Sequence, residues 1–198
     1  MMRSMTIWFA TGNAHKKKEL AAILPGHAVR IPAEAGIAFD PDETGKTFLD
    51  NALIKARELY ALVRAPVIAD DSGLCVDALG GRPGVLSARY GSENGGKIES
   101  AQRNELLLRE LGDASDRRAR FVCSMVLMLS ADRFFIAQET FEGTIVAESR
   151  GSGGFGYDPI LFLPEFSKTV AELSDAEKNR LSHRGKAGER IRSILDTL

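Results

Sequence analysis

Residues 67–90, VIADDSGLCVDALGGRPGVLSARY, are the stretch whose reading decides the fold. They open on Val67-Ile68-Ala69, an apolar run of the kind that forms a buried strand in a parallel or mixed sheet. The run meets two adjacent carboxylates, Asp70 and Asp71, then Ser72 and Gly73. Asp-Ser-Gly is ordinary turn chemistry, so the strand is expected to stop there. In open α/β sheets the carboxyl ends of strands are where ligands bind. Consecutive strand residues point to opposite faces. The two aspartates should therefore do different work, one facing a crevice and holding a cation, the other bracing the turn. A plain turn is the competing reading of the same four residues.

Upstream of this stretch, Thr6 to Ala10 is a hydrophobic strand, Thr11-Gly12-Asn13 a tight turn, and Ala14 to Leu24 a helix with Leu20, Ile23 and Leu24 on its buried stripe. A strand, a glycine turn and a helix with lysine in its first turn form an anion seat, because free N–H groups and the helix dipole favour phosphate. Lys16 is the lysine favoured for that role over Lys17 and Lys18; the bland alternative is an i,i+3 pair of Lys16 with Glu19. Val29 to Pro32 reads as a short strand. An acidic loop, Phe39 to Gly45, follows and could bring a second carboxylate to a cation held by the aspartate pair. Thr47 looks like an N-cap with Asp50 as its box partner. The helix it starts should run to about Val63, burying Phe48, Ala52, Ala56 and Leu59, with Asn51 and Lys55 sharing one face.

Downstream, Gly91 to Lys97 fits G-x-x-x-x-G-K, but Ile98 stands where a Ser or Thr would bind magnesium and no strand precedes it. It is read as a surface loop and not as a phosphate loop. Ser100 to Leu111 is an amphipathic helix with Leu107, Leu108 and Leu111 inward. Ala119 to Leu129 and Arg133 to Val146 are long neighbouring strands joined by a turn at Ser130-Ala131-Asp132. Residues 151–159, GSGGFGYDP, form a shaped loop. Its Phe155 is placed to stack on a base, or else Phe155 and Tyr157 plug the core. Ile160 to Leu163 is strand-like. Ser174 to Glu177 starts a helix with a capping box, and Lys178 sits in its first turn against the dipole's preference, which hints at an anionic ligand. His183 and Arg184, read as preceding a last helix from Lys186 to Leu198, could both donate to a ligand acceptor.

Size and composition set the limits. The chain of 198 residues is long enough for one domain with a proper core, and its 44% apolar and 27% charged content is a globular average. A net charge of -1 argues against broad nucleic-acid or membrane-surface binding. The two cysteines, Cys75 and Cys123, lie among apolar residues with no CxxC, which reads as reduced core thiols and no zinc site. The amino-terminal MMRSMTIWFATGN is too short and interrupted for a signal peptide, so a cytoplasmic protein is the expectation.

Five segments together resemble the inosine-triphosphate pyrophosphatase family, which hydrolyses non-standard purine nucleoside triphosphates. They are TGNAHKKKEL at Thr11, ETGKTFLDNALIKA at Glu43, the central ADDSGLCVDALGGRPGVLSARY, SGGFGYDPI at Ser152 and AELSDAEKNRLSHRGKA at Ala171, in the family's order over nearly the whole chain. The resemblance implies a single domain, 1–198, of the α/β class. It would be an elongated two-lobed structure around a long, twisted mixed β-sheet with flanking helices and a substrate cleft between the lobes. It implies a homodimer and a magnesium ion. Thr11, Gly12, Asn13, Ala14, His15 and Lys16 would hold the triphosphate, with Lys55 assisting. Asp71 would be the catalytic acid-base residue and a metal ligand, and Ser72 would touch the substrate. Glu43 is the favoured second metal ligand, with Asp42 as its alternative. Phe155, Gly156, Tyr157, Asp158, Lys178, His183 and Arg184 would form the nucleotide pocket. The expected reaction releases pyrophosphate from ITP, dITP or XTP. Two rivals stand beside it: a related pyrophosphatase with another base preference, and a nucleotide sensor without catalysis.

Overall fold

The structure is a computed structural model that describes residues 4–96 and 98–198. Met1–Arg3, part of the amino-terminal segment weighed above, and Lys97, the last residue of the G-x-x-x-x-G-K match, lie outside the described residues. Among the described residues, seven strands form one sheet in the order β2-β1-β3-β4-β5-β6-β7. They are β1 (Thr6–Phe9), β2 (Ala28–Arg30), β3 (Val67–Val76), β4 (Arg118–Met128), β5 (Phe134–Ile145), β6 (Leu161–Leu163) and β7 (Lys168–Thr169). The sheet is mixed and open: β1 runs parallel to β2 and β3, while β6 is antiparallel to β5 and β7. Among the described residues, five α-helices flank it: α1 (Ala14–Ile23), α2 (Phe48–Val63), α3 (Ser100–Leu111), α4 (Asp175–Leu181) and α5 (His183–Leu195).

The chain divides into two compact units. The first comprises the chain up to Asp71, Cys123–Glu139 and His183–Leu198. It is layered on both faces of its part of the sheet. On one face Ile7, Phe9, Ile68, Met125 and Leu127 pack with Leu20 and Ile23 of α1 and Ala187 and Ile191 of α5. On the other, Ala10, Val67, Ala69 and Val126 pack with Ala52, Ala56 and Leu59 of α2. These strands read as continuous apolar runs because both faces are covered. The caps match their sequence signals. Thr47 Oγ1 accepts from Asp50 N while Asp50 Oδ2 accepts from Thr47 N, each at 3.1 Å.

The second unit comprises Ser72–Val122 and Thr140–Ser182. Its core gathers Leu74 and Val76 of β3, Leu107 and Leu111 of α3, Phe121, Phe141, Ile145, Tyr157 and Leu161. Ser174 and Glu177 cap α4 reciprocally, as their spacing predicts. No described helix is long and apolar enough to cross a membrane.

Two of the boundaries that differ from the sequence reading bear on the site. The strand does not end at Asp70: β3 runs for 10 residues, straight through Asp70, Asp71, Ser72 and Gly73 to Val76. Sheet pairing overrides the local turn preference of Asp-Ser-Gly. The last helix starts at His183, three residues before Lys186. His183 and Arg184, only 6% and 1% exposed, are drawn into that helix by burial.

Candidate active site

The strand period sorts the two aspartates. Ile68 packs on the α1/α5 side and Val67 and Ala69 on the α2 side. Two residues on from Ile68, Asp70 points to the same side and meets α1 and α5; Asp71 follows Ala69 and meets α2. Each aspartate therefore lies at the centre of its own cluster within the first unit.

On the α1/α5 side, Asp70 Oδ1 accepts from Lys16 Nζ at 3.0 Å, and its Oδ2 accepts from Arg184 Nε and Nη2 at 3.0 and 2.9 Å. Arg184 Nη1 donates to Glu19 at 2.7 Å. Glu19 thus serves Arg184, and Lys16 serves Asp70, in place of the Lys16–Glu19 pair considered from sequence. Burial by itself would raise the Asp70 pKa, but Lys16, Arg184 and Lys55 hold it far below the usual carboxylate range. Burial lowers the Lys16 pKa, Asp70 opposes that, and the neighbouring Arg184 and Lys55 add to it, so the net shift is downward. Cys123 Sγ lies 3.8 Å from Asp70 Oδ2, and burial pushes its thiol well above the ordinary value.

On the α2 side, Asp71 Oδ1 accepts from Lys55 Nζ at 3.1 Å and Oδ2 from Asn51 Nδ2 at 3.1 Å. Lys55 Nζ also donates to Glu43 Oε1 at 2.7 Å. Asn51 Oδ1 accepts from Gly45 N at 2.8 Å. Asn51 and Lys55 are one turn apart on α2, which puts both donors on one face. Burial raises the Asp71 pKa, and Lys55 and Lys16 offset this only in part. Burial would lower that of Lys55, but Asp71, Asp70 and Glu43 reverse the sign and raise it.

The α1 entrance is built differently from the simple anion seat. Asn13 caps the helix, its side chain accepting from His15 N at 2.9 Å and Lys16 N at 3.3 Å. Asn13 N in turn donates to Thr11 Oγ1 at 3.0 Å. Two of the helix's leading N–H groups are thus met by the chain itself. The first turn holds no acidic residue, so the positive end of the dipole is not offset by a side-chain carboxylate. Gly12, Ala14 and His15 are exposed, and Lys17 pairs with Glu34.

In the second unit, the loop from Gly151 is organised by Asp158. Its Oδ2 accepts from Phe155 N at 2.8 Å and from Lys178 Nζ at 2.7 Å. Lys178 Nζ also lies 4.4 Å from the centre of the Phe155 ring, a cation–π contact. The cation that looked misplaced on α4 thus has a buried carboxylate of the same chain. Gly154, at φ +71°, brings the backbone so close to the Asp158 carboxylate that a Cβ there would overlap it. Tyr157 is a core residue whose hydroxyl donates to Ser87 O at 2.9 Å. Phe155 is half-buried, and Gly156 O accepts from Asn104 Nδ2 at 3.2 Å. Asp158→Ala removes a carboxylate from a buried ammonium, an expected cost of about 3–5 kcal/mol measurable by urea unfolding.

His183 and Arg184 belong to the first unit, Ser72, Phe155 to Asp158 and Lys178 to the second. Asn51 and Asn104 carry no site role in the sequence reading above, and Glu19 entered it only as the alternative partner of Lys16. The signal for Asn51 was its four-residue spacing from Lys55.

Among the described residues, no group of three or more His, Cys, Asp or Glu side chains is arranged to hold a metal ion. Two carboxylates on one cation are present, in Glu43 and Asp71. Magnesium is commonly bound by one or two carboxylates, the remaining positions going to water and substrate phosphate. The Lys55 ammonium bridges the pair, 2.7 Å from Glu43 Oε1 and 3.1 Å from Asp71 Oδ1.

The Ham1 family model matches residues 7–194 of the chain. The chain belongs to the Ham1 family. A dITP/XTP pyrophosphatase of Treponema denticola is 53% identical over 183 residues, 92% of this chain and 94% of that protein. One from Thioalkalivibrio sulfidiphilus is 46% identical over 197 residues, 98% of each chain. Among solved structures, a HAM1 protein from Coxiella burnetii superposes with a TM-score of 0.89 at 38% identity, covering 98% of this chain and all of that one. The Ham1 match spans both aspartate clusters and the Asp158 loop.

Proposed function

We propose that this Ham1 protein hydrolyses non-standard purine nucleoside triphosphates, dITP, ITP and XTP, to the monophosphate and pyrophosphate. The observation that carries the reading is the Glu43–Lys55–Asp71 arrangement, two carboxylates held on one cation at the strand position whose neighbour, Asp70, holds Lys16. Cleaving a phosphoanhydride requires neutralisation of phosphate charge and an activated water. Lys16 and Lys55 supply cationic charge. Magnesium would be held by Glu43 and Asp71, and when bound it supplies a Lewis acid for phosphate oxygens. Burial raises the Asp71 pKa, which makes its carboxylate a better proton acceptor from water. The names of the relatives support the substrate class.

Base recognition is assigned, within the second unit, to Phe155 by stacking and to Lys178 by donation to the 6-oxo group of hypoxanthine or xanthine. Adenine carries an amino donor at that position, so a donor in the site disfavours it. Arg184, in the first unit, gives its Nε, Nη1 and Nη2 to Asp70 and Glu19. Phe155→Ala is expected to raise KM about tenfold or more, on the scale of a lost base–aromatic stack. Steady-state kinetics with ITP reads this, and an unchanged KM returns Phe155 to a packing role.

The deciding assay incubates the protein with ITP, XTP, dITP, GTP, ATP and TTP plus magnesium and separates the products. Inosine or xanthosine monophosphate with pyrophosphate is the expected result. Orthophosphate would indicate a phosphatase, and no turnover would indicate a nucleotide sensor.

A further inference from the structure

We propose that Asn51 is a positioning residue that locks the acidic loop to Asp71, so that Glu43 and Asp71 converge on one metal ion. The inference rests on the metal reading above and extends it to a residue that touches neither substrate nor metal. Asn51 is 1% exposed, and both ends of its amide are used. Nδ2 donates to Asp71 Oδ2 at 3.1 Å, and Oδ1 accepts from Gly45 N at 2.8 Å. Gly45 is two residues from Glu43, so this single side chain ties the backbone beside one carboxylate to the oxygen of the other.

The two donors on α2 divide the Asp71 carboxylate between them. Lys55 takes Oδ1 and Asn51 takes Oδ2. With each oxygen held separately, the carboxylate plane cannot rotate freely, and its remaining lone pairs keep fixed directions. The chemistry of residue 51 matters here. A neutral amide orients the carboxylate without adding positive charge that would repel a divalent ion. Lys55, by contrast, brings charge that the ion must compete with.

Gly45 gives the second, independent observation. A Cβ at this position would sit 2.5 Å from Asn51 Oδ1, 2.6 Å from Asp50 Cβ and 2.8 Å from Asn51 N. The loop backbone therefore approaches α2 too closely for any side chain. The absence of a Cβ is what lets the Gly45 N–H reach the amide.

Two variants test this from opposite sides: Asn51→Ala removes the clamp, and Gly45→Ala forces the loop away from it. The readout is Mn2+ affinity of the full chain in complex with an α,β-methylene analogue of ITP, followed by electron paramagnetic resonance, with thermal unfolding as control. Removing an outer partner of a metal ligand weakens metal binding by about 10–100-fold. Asn51→Ala is expected to show a loss of that size. Gly45→Ala is expected to show a loss in the same direction with its unfolding midpoint little changed. Because both break the Gly45–Asn51 hydrogen bond, and Asn51→Ala removes the bond to Asp71 as well, the double variant should bind Mn2+ no more weakly than Asn51→Ala alone. Wild-type affinity in Gly45→Ala, or losses that simply add, would overturn the positioning role while leaving the metal reading intact. A wild-type complex that binds no Mn2+ would overturn the metal reading, and this inference with it.

Discussion

Asp70→Asn is expected to destabilise the protein by about 3–5 kcal/mol, read from urea unfolding at neutral pH. Asp70 is 1% exposed and accepts from two cations, Lys16 and Arg184. An asparagine keeps the volume and loses the charge. It leaves a guanidinium that is itself 1% exposed with Glu19 as its remaining carboxylate. Desolvating a charge is costly, and the cost falls on whichever partner remains. The pH dependence gives an internal check. The folded-state pKa of Asp70 is held far below its unfolded value, so its contribution is fully present above about pH 4 and declines as the unfolded-state carboxyl takes up its proton below that. The gap between wild type and variant should thus be flat from about pH 8 to 5 and narrow in stronger acid. A surface control is Asp116→Asn. Asp116 pairs with Arg118 at 2.7 Å, but their side chains are 41% and 72% exposed, and no measurable change is expected. A stability unchanged in Asp70→Asn would mean that the Lys16–Asp70–Arg184 cluster holds nothing together.

Asp71→Asn, one residue along, is expected to do the opposite: lose turnover and keep the fold. Its carboxylate is the proposed proton acceptor and metal ligand, and removing positioned proton transfer alone costs about 10²–10⁴-fold in rate. Burial already works against its charge, as the raised pKa shows, so neutralising it relieves a penalty. Lys55 retains Glu43 at 2.7 Å. Nucleotide binding, measured by calorimetry with the α,β-methylene analogue, should survive within several-fold because Lys16 and Lys55 remain. Full activity in Asp71→Asn would exclude the mechanism. Unfolding in Asp71→Asn, with Asp70→Asn stable, would reverse the roles assigned to the two carboxylates.

The contrast between these neighbours was partly legible in advance. Alternation along a strand is local geometry, and it separates Asp70 from Asp71 whatever surrounds them. The caps at Thr47 and Ser174 were equally legible, because capping boxes are made within four residues. The turn reading of Asp-Ser-Gly went wrong for a complementary reason. Turn preference is a weak local term, and hydrogen bonding of β3 into the sheet outweighs it. The start of α5 was misplaced because Arg184 reads as a ligand donor ahead of the helix until its partners are known.

Those partners are remote. Arg184 meets Asp70 across 114 residues of sequence and Glu19 across 165. Periodicity and capping, acting over a few residues, determined from the sequence alone where most of the helices and strands lie and that Asp70 and Asp71 face opposite ways. Which cation each aspartate meets was decided only by tertiary packing, because the charges that set their ionisation come from helices distant along the chain.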